Sequence, residues 1–356
     1  MMRLSLLRLD VVIQPIRRYW ESTMAKRLFV RDLRDGTRLR GEAFVLLEKQ
    51  LAQTREGSLY LKAVLGDKTG RVEARYWDVP TQLYSSLEVG TGVQVDGTVT
   101  RYPAESGELQ IHIDRIIPIA LEDLQEFLPQ AKRPLADMVE ELNQLVREVT
   151  DPHLSALLDV LLSEQSFRDI FFKAPAAKMY HHACTGGLLE HSLAVVHLCR
   201  YLCDRHPELN RHLLLTAALL HDVGKAFAYE SAPGFNLTDE GRLVGHVVQG
   251  ALTVSEAVAK VEGFPSALRV ALLHAVLAHH GAHERGSPVT PKTLEALALH
   301  HADWLDGDLR GFMDHVETEP VTETDWTRYS RMFGTELYRG FLAREEDEAP
   351  DDEVPF

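Results

Sequence analysis

Cysteine is scarce: Cys184, Cys199 and Cys203 are the three in 356 residues. So few thiols, so close together, cannot build a disulfide framework, and the usage suits a reducing, cytoplasmic setting. Cys199 and Cys203 stand four apart on a predicted helix, where plain packing is the simpler reading. No run of eighteen apolar residues occurs, so no membrane-spanning helix and no membrane partner are expected. Surplus positive charge is missing too. A net charge of −15 argues against a protein held to nucleic acid by bulk electrostatics.

The deficit is unevenly spread. Residues 24–118 hold 14 Lys and Arg against 13 Asp and Glu, so a near-neutral front precedes a strongly acidic body. Part of the acidity lies in "REEDEAPDDEVPF", whose seven carboxylates and two prolines suit a solvated, disordered tail. The opening stretch, "MMRLSLLRLDVVIQPIRRYW", has Arg8 and Asp10 interrupting its apolar run, and no small-residue cleavage site follows. Residues 1–23 therefore read as an unstructured leader, with Met24 as the candidate start.

Apolar and polar residues alternate with period two in five runs: "GEAFVLLEKQ", "SLYLKAVLGD", "GRVEARYW", "GVQVDGTVTRY" and "ELQIHIDRIIPI". One non-alternating piece, "VPTQLYSSLEVG", separates the third from the fourth. Five strands with an insert at that point predict a small Greek-key barrel of the OB type over residues 24–120. On its solvent face Phe44, Tyr60, Lys62, Arg75 and Trp77 would mix rings with cations, the composition of a stacking platform for single-stranded nucleic acid. Their strand propensity alone would also place such residues there. Residues 121–136, with Pro129 and Pro134, read as a linker. Beyond it apolar positions recur every three to four residues, predicting an all-α domain over 137–316. A C-terminal helical segment and the acidic tail complete 317–356.

Of 17 histidines, 14 fall between His181 and His301. The candidates for chemistry are His191, His221, Asp222, His246, His279, His280 and Asp303. Several sit at the ends of apolar helices, as in "LLLTAALLHDVGK", where Gly224 is expected to stop the helix in a left-handed conformation. "VLAHHG" ends in the same way at Gly281. Ionisable groups at the buried ends of helices need partners, because an isolated buried charge is very costly. A shared cation would satisfy them together. Imidazoles and carboxylates without thiolate suit Mn, Fe, Zn, Co or Mg better than a structural zinc knot. Seven ligands exceed one tetrahedral ion, so two are expected, with Asp222 bridging them. Such a pair, about 3.5–4 Å apart, clamps the oxygens of an in-line displacement at phosphorus. Lys225 could neutralise a phosphate oxygen, or be no more than a helix-terminal cation. His181 and His182 precede a ligand helix and could line the mouth of a pocket.

These residues resemble a known family. His191, the His221–Asp222 pair and Asp303 match the H…HD…D pattern of the HD-domain metal phosphohydrolases. An OB-like module followed by "GGLLEHS", "HDVGK", "GHVVQG" and "AHHGAHERGSP" is similar to the YhaM-type 3′→5′ exoribonucleases, over roughly Met24 to Phe312. The resemblance implies hydrolysis of single-stranded RNA, and of DNA, from the 3′ end to nucleoside 5′-monophosphates. It also implies manganese as the first choice of metal and allows for a homo-oligomer. One departure is Gly187, which stands where some two-metal and three-metal HD phosphodiesterases carry glutamate, and a third ion is not expected. Two other readings stay open: a hydrolase of small nucleotides whose barrel only regulates or dimerises, and a non-catalytic nucleic-acid-binding protein with a structural metal.

Overall fold

The computed structural model describes residues 26–54, 57–102, 108–121, 126–128, 130–177, 182–230, 235–318 and 324–341. The leader and the acidic tail expected from the sequence lie outside them. The five alternating runs form β1 (Arg38–Gln53), β2 (Leu59–Asp67), β3 (Gly70–Trp77), β4 (Gly92–Tyr102) and β5 (Glu108–Ile119), with the short helix α1 (Thr81–Ser86) as the insert. They close into a barrel in the order β1-β2-β3-β5-β4. Every neighbouring pair is antiparallel except β3 with β5, where Arg75 pairs with His112 in parallel. Leu46, Leu61, Leu65, Val95, Val99, Ile111 and Ile116 fill the interior.

Phe44 corrects the sequence reading: it is fully buried in this core rather than exposed on a binding face. Two features of β1 account for it. Register shifts fall between Leu39 and Glu42 and between Leu46 and Glu48, and such bulges break simple alternation. The other side of the strand is covered as well, because Ala43 and Val45 pack with Phe127 of the linker. Residues 42–46 are thus buried on both faces, and "FVLL" carries no period from which a side could be read. Burying a phenylalanine stabilises by roughly 1.5–3 kcal/mol, so Phe44 serves the fold. Lys26 closes the same region, its Nζ 3.0 Å from Asp67 and 3.9 Å from the centre of the Phe44 ring.

The remainder is helical: α2 (Leu135–Glu148), α3 (Pro152–Ser163), α4 (Gln165–Phe171), α5 (Gly187–Arg205), α6 (Arg211–Leu220), α7 (Lys225–Ala228), α8 (Asp239–Leu243), α9 (His246–Ala259), α10 (Ser266–Ala278) and α11 (Leu294–Thr318). Start signals are explicit. Asp151 accepts from the amides of His153 and Leu154 ahead of Pro152 in the first turn of α3, and Asn210 accepts from Leu213 at the head of α6. One leucine-rich core joins α5, α6, α9, α10 and α11, with Leu189, Leu193, Leu214, Leu219, Val254, Leu272 and Leu299 at its centre.

Gly224 departs from expectation. Its φ of −64° is right-handed, so it does not stop α6 by conformation. It is small because α9 crosses there: a Cβ would lie 2.0 Å from the His246 carbonyl oxygen. Gly281, at φ +79°, is left-handed as expected. The C-terminal segment differs too. Among the described residues, 324–341 hold no helix but antiparallel bridges, Trp326 with Tyr338 and Ser330 with Thr335. Phe333 packs edge-on to Phe312 of α11, and Arg328 reaches Glu108 of the barrel.

Candidate metal centre

Five helices deliver the seven candidate ligands to one place. His191 lies in the second turn of α5, His221 and Asp222 end α6, His246 opens α9, His279 and His280 end α10, and Asp303 lies within α11. His191, His221, Asp222 and His279 are at most 1% exposed. Asp222 is central. Its Oδ2 is 3.5 Å from His191 Nε2 and 3.4 Å from His221 Nε2, while its Oδ1 is 3.4 Å from the Nε2 atoms of both His246 and His279. Two donor sets result, Asp222 with His191, His221 and Asp303, and Asp222 with His246, His279 and His280, each with its ligand atoms within 4.8 Å of one another.

The backbone chooses which imidazole nitrogen faces inward. His221 Nδ1 donates to the Ala218 carbonyl at 2.8 Å, His279 Nδ1 to Val276 at 2.7 Å and His280 Nδ1 to Arg285 at 2.9 Å. A carbonyl can only accept, so each Nδ1 carries a proton and Nε2 is the atom that each ring turns to the pocket. Those nitrogens crowd. His191 Nε2 is 3.2 Å from His221 Nε2, and His246 Nε2 is 3.3 Å from His280 Nε2. Asp222 Oδ1 and His279 Nε2 are buried with no hydrogen-bond partner among the described residues, at a cost of about 1–3 kcal/mol for each such atom. Crowded ring nitrogens and unpartnered polar atoms around one carboxylate are what a divalent cation relieves, so the residues fit a metal.

The electrostatics agree. Burial opposes charge on Asp222, yet Lys225 and His221 hold its carboxyl well below the usual range. Asp303 is likewise held low against burial, by His191 and His221. Burial works to lower His221 too, but Asp222 and Asp303 lift it to about 10. The other set behaves oppositely: burial pushes His246 well down and His280 to about 4. Lys225 lies 2.5 Å from Asp222 Oδ2 and is almost wholly buried. This carboxylate keeps the ammonium charged despite burial.

Behind His191 lie two residues that sequence reasoning missed, Asp306 and Glu190, and one that it placed elsewhere, His182. Asp306 Oδ2 lies 2.7 Å from His191 Nδ1 and 3.2 Å from His182 Nε2, and His182 Nδ1 lies 2.9 Å from Glu190. Asp306 is a carboxylate, held low by His182 and His191 against burial, so His191 Nδ1 must donate to it. That bond sets the ring with Nε2 toward Asp222. His182 is 4% exposed, buried rather than at a pocket mouth, and adopts φ +54°; His181 lies outside the described residues. Spacing could have found Asp306, three residues after Asp303 and therefore on the same face of α11. The Gly187 departure also has a cause, since a Cβ there would lie 2.0 Å from the His182 carbonyl oxygen.

On the barrel the remaining four candidates share one outer face. Tyr60 pairs across from Trp77 with ring centres 4.7 Å apart, and Lys62 pairs across from Arg75. Lys62 Nζ lies 3.2 Å from Glu73, and Arg75 lies over the Tyr102 ring at 5.3 Å. Tyr102 and His112, whose ring centre is 6.4 Å from that of Trp77, extend this face beyond the sequence reading.

Comparison with known proteins converges on the same two modules. Residues 45–119 match the model of the OB-fold nucleic acid binding domain, and residues 188–308 match that of the HD domain. The 3′-5′ exoribonuclease YhaM of Geobacillus sp. (strain WCH70) is 31% identical over 81% of this chain and 89% of its own. The chain belongs to the YhaM-type 3′-5′ exoribonuclease family. YhaM proteins of Bacillus pumilus (30% identity, 78% of this chain and 88% of theirs) and Listeria welshimeri (32%, 77% and 87%) show the same breadth of match. The family likeness therefore spans barrel and helical domain together. Among the described residues no helix is long and apolar enough to cross a membrane.

Proposed function

We propose that this chain is a metal-dependent exonuclease that hydrolyses single-stranded RNA, with DNA as a second substrate, from the 3′ end to nucleoside 5′-monophosphates. One observation carries the reading: Asp222 turns its two oxygens to two separate histidine sets inside an HD domain. His191, His221, Asp222 and Asp303 would hold one divalent ion, and Asp222, His246, His279 and His280 a second, with manganese the first candidate. When bound, such a pair supplies Lewis-acid stabilisation of phosphoryl oxygens and activates water at neutral pH. The chain's own groups do the rest. Asp306 and the backbone carbonyls fix the rings, and Lys225 keeps a positive charge beside Asp222 where phosphate charge is to be met. Leucine-rich helices around the ligands keep the local dielectric low, which strengthens every charge interaction in the pocket.

The barrel supplies a platform for bases through Tyr60, Trp77 and Arg75, with cationic neighbours for the backbone. On a chain of net charge −15 a strand is attracted where ions and these cations sit and repelled elsewhere, which favours processing an end over coating a strand. The test uses single strands labelled at the 5′ end and incubated with manganese. Progressive shortening from the unlabelled end, with mononucleotides identified by mass, is expected. Internal cuts, or turnover confined to free nucleotides, would contradict the proposal.

A further inference from the structure

Beside the ligand sets is a feature that metal binding does not use. The Arg285 guanidinium lies 3.6 Å from the centre of the Trp304 ring. Both side chains face solvent, Trp304 at 42% exposure, and Arg285 has no carboxylate partner among the described residues. A guanidinium over an open indole gains little when fully hydrated, about 0.5–1 kcal/mol. Such a weak contact does not by itself account for an exposed tryptophan on this helix.

The pair is tied to the centre from both sides. Trp304 follows Asp303 on α11, and the Arg285 carbonyl is the acceptor that orients His280. The loop between them is held by hydrogen bonds. His300 Nδ1 donates to the His279 carbonyl at 2.7 Å, the Ser287 amide to Ala282 at 3.1 Å and the Gly286 amide to His283 at 2.9 Å. Buried Ser287 places its hydroxyl 3.0 Å from the Leu277 carbonyl oxygen and 2.8 Å from that of Val289. An aromatic plane and a forked, permanently charged donor are thus held at the rim of a phosphodiester site. Nucleotides match that chemistry, with a flat base to stack and a phosphate for the guanidinium.

We propose that Arg285 and Trp304 form the subsite for the terminal nucleotide of the strand, stacking its base and pairing with its phosphate as the scissile bond enters the pocket. This rests on the exonuclease reading above. It gives the end of the strand its own anchor, separate from the barrel.

The test compares the full-length protein with Trp304→Ala, Trp304→Phe and Arg285→Gln. Affinity for a single-stranded oligoribonucleotide is read by fluorescence anisotropy with divalent ions chelated. With manganese, kcat/KM is read on that strand and on bis(p-nitrophenyl) phosphate, which has neither base nor chain. Trp304→Ala should weaken strand affinity and kcat/KM by about 5- to 140-fold, the range that loss of one stacked base gives. The loss on the small diester should be at least tenfold less, and Trp304→Phe should recover most of the effect. Equal losses on both substrates, together with reduced metal content, would make the pair a brace for the His280 loop and overturn the subsite. A change in solution mass on Trp304→Ala would overturn it in favour of an interface between copies along α11. If the wild-type protein cleaves only the small diester, the exonuclease reading fails; the anisotropy series still decides whether the pair holds a nucleotide.

Discussion

The two donor sets share Asp222 but differ in almost everything around it. In the set with His191, His221 and Asp303, two carboxylates are held ionised and His191 is braced from behind by Asp306, His182 and Glu190. In the set with His246, His279 and His280, Asp222 is the sole carboxylate, and burial favours the neutral imidazole of His246 and His280. The first is acidic, enclosed and rigid; the second is nearly neutral and stands at the rim. Charge attracts a dication more strongly to the first. The second depends on its neighbour for the one anionic ligand it has.

That asymmetry can be broken at its shared atom pair. Asp222→Ala should remove both ions and lower cleavage by at least about 10³-fold, while single-strand affinity of the ion-free protein stays near the wild-type value. Retained cleavage would end the assignment of the centre. His280→Ala should sharpen the contrast by costing one ion of two in metal analysis, whereas Asp303→Asn should cost more, because it strips charge from the acidic half. The reverse order would mean that the rim set is the tighter one. Asp306→Asn keeps the shape and removes the charge behind His191. A loss of about 10- to 100-fold in affinity for the tighter ion is expected by competition with a chelator, and an unchanged value would make Asp306 incidental. The smallest effect lies on the barrel, where Trp77→Ala should weaken binding of long strands by about 1–3 kcal/mol without altering metal content. Equal damage to hydrolysis of a dinucleotide would deny the barrel its role in gathering the strand.

Much of this was legible from residue order, and the failures have physical causes. Period two revealed the strands because β2 to β5 largely keep one face in the barrel core and the other outside. It misplaced Phe44 because bulges and a linker bury β1 on both sides. His221 and Asp222 stood out because Ala217 to Leu220 make a polar pair at that helix end conspicuous. Asp306 did not, because "WLDGDLRG" carries the charge density of a solvated helix face, which hides the one aspartate spaced three residues from Asp303. Gly224 looked like a helix stop, when the requirement comes from α9, some twenty residues later, crossing within contact distance. Short-range pattern reports which face is buried; it is silent about which distant backbone lies against that face.

The account turns on one carboxylate serving two sites, and metal analysis by mass spectrometry of the purified protein and its Asp222→Ala variant, both reconstituted with manganese, tests that most directly. Two ions per chain in the first and none in the second are expected. One ion kept by the variant would show that the two histidine sets do not share Asp222, and would contradict the shared centre.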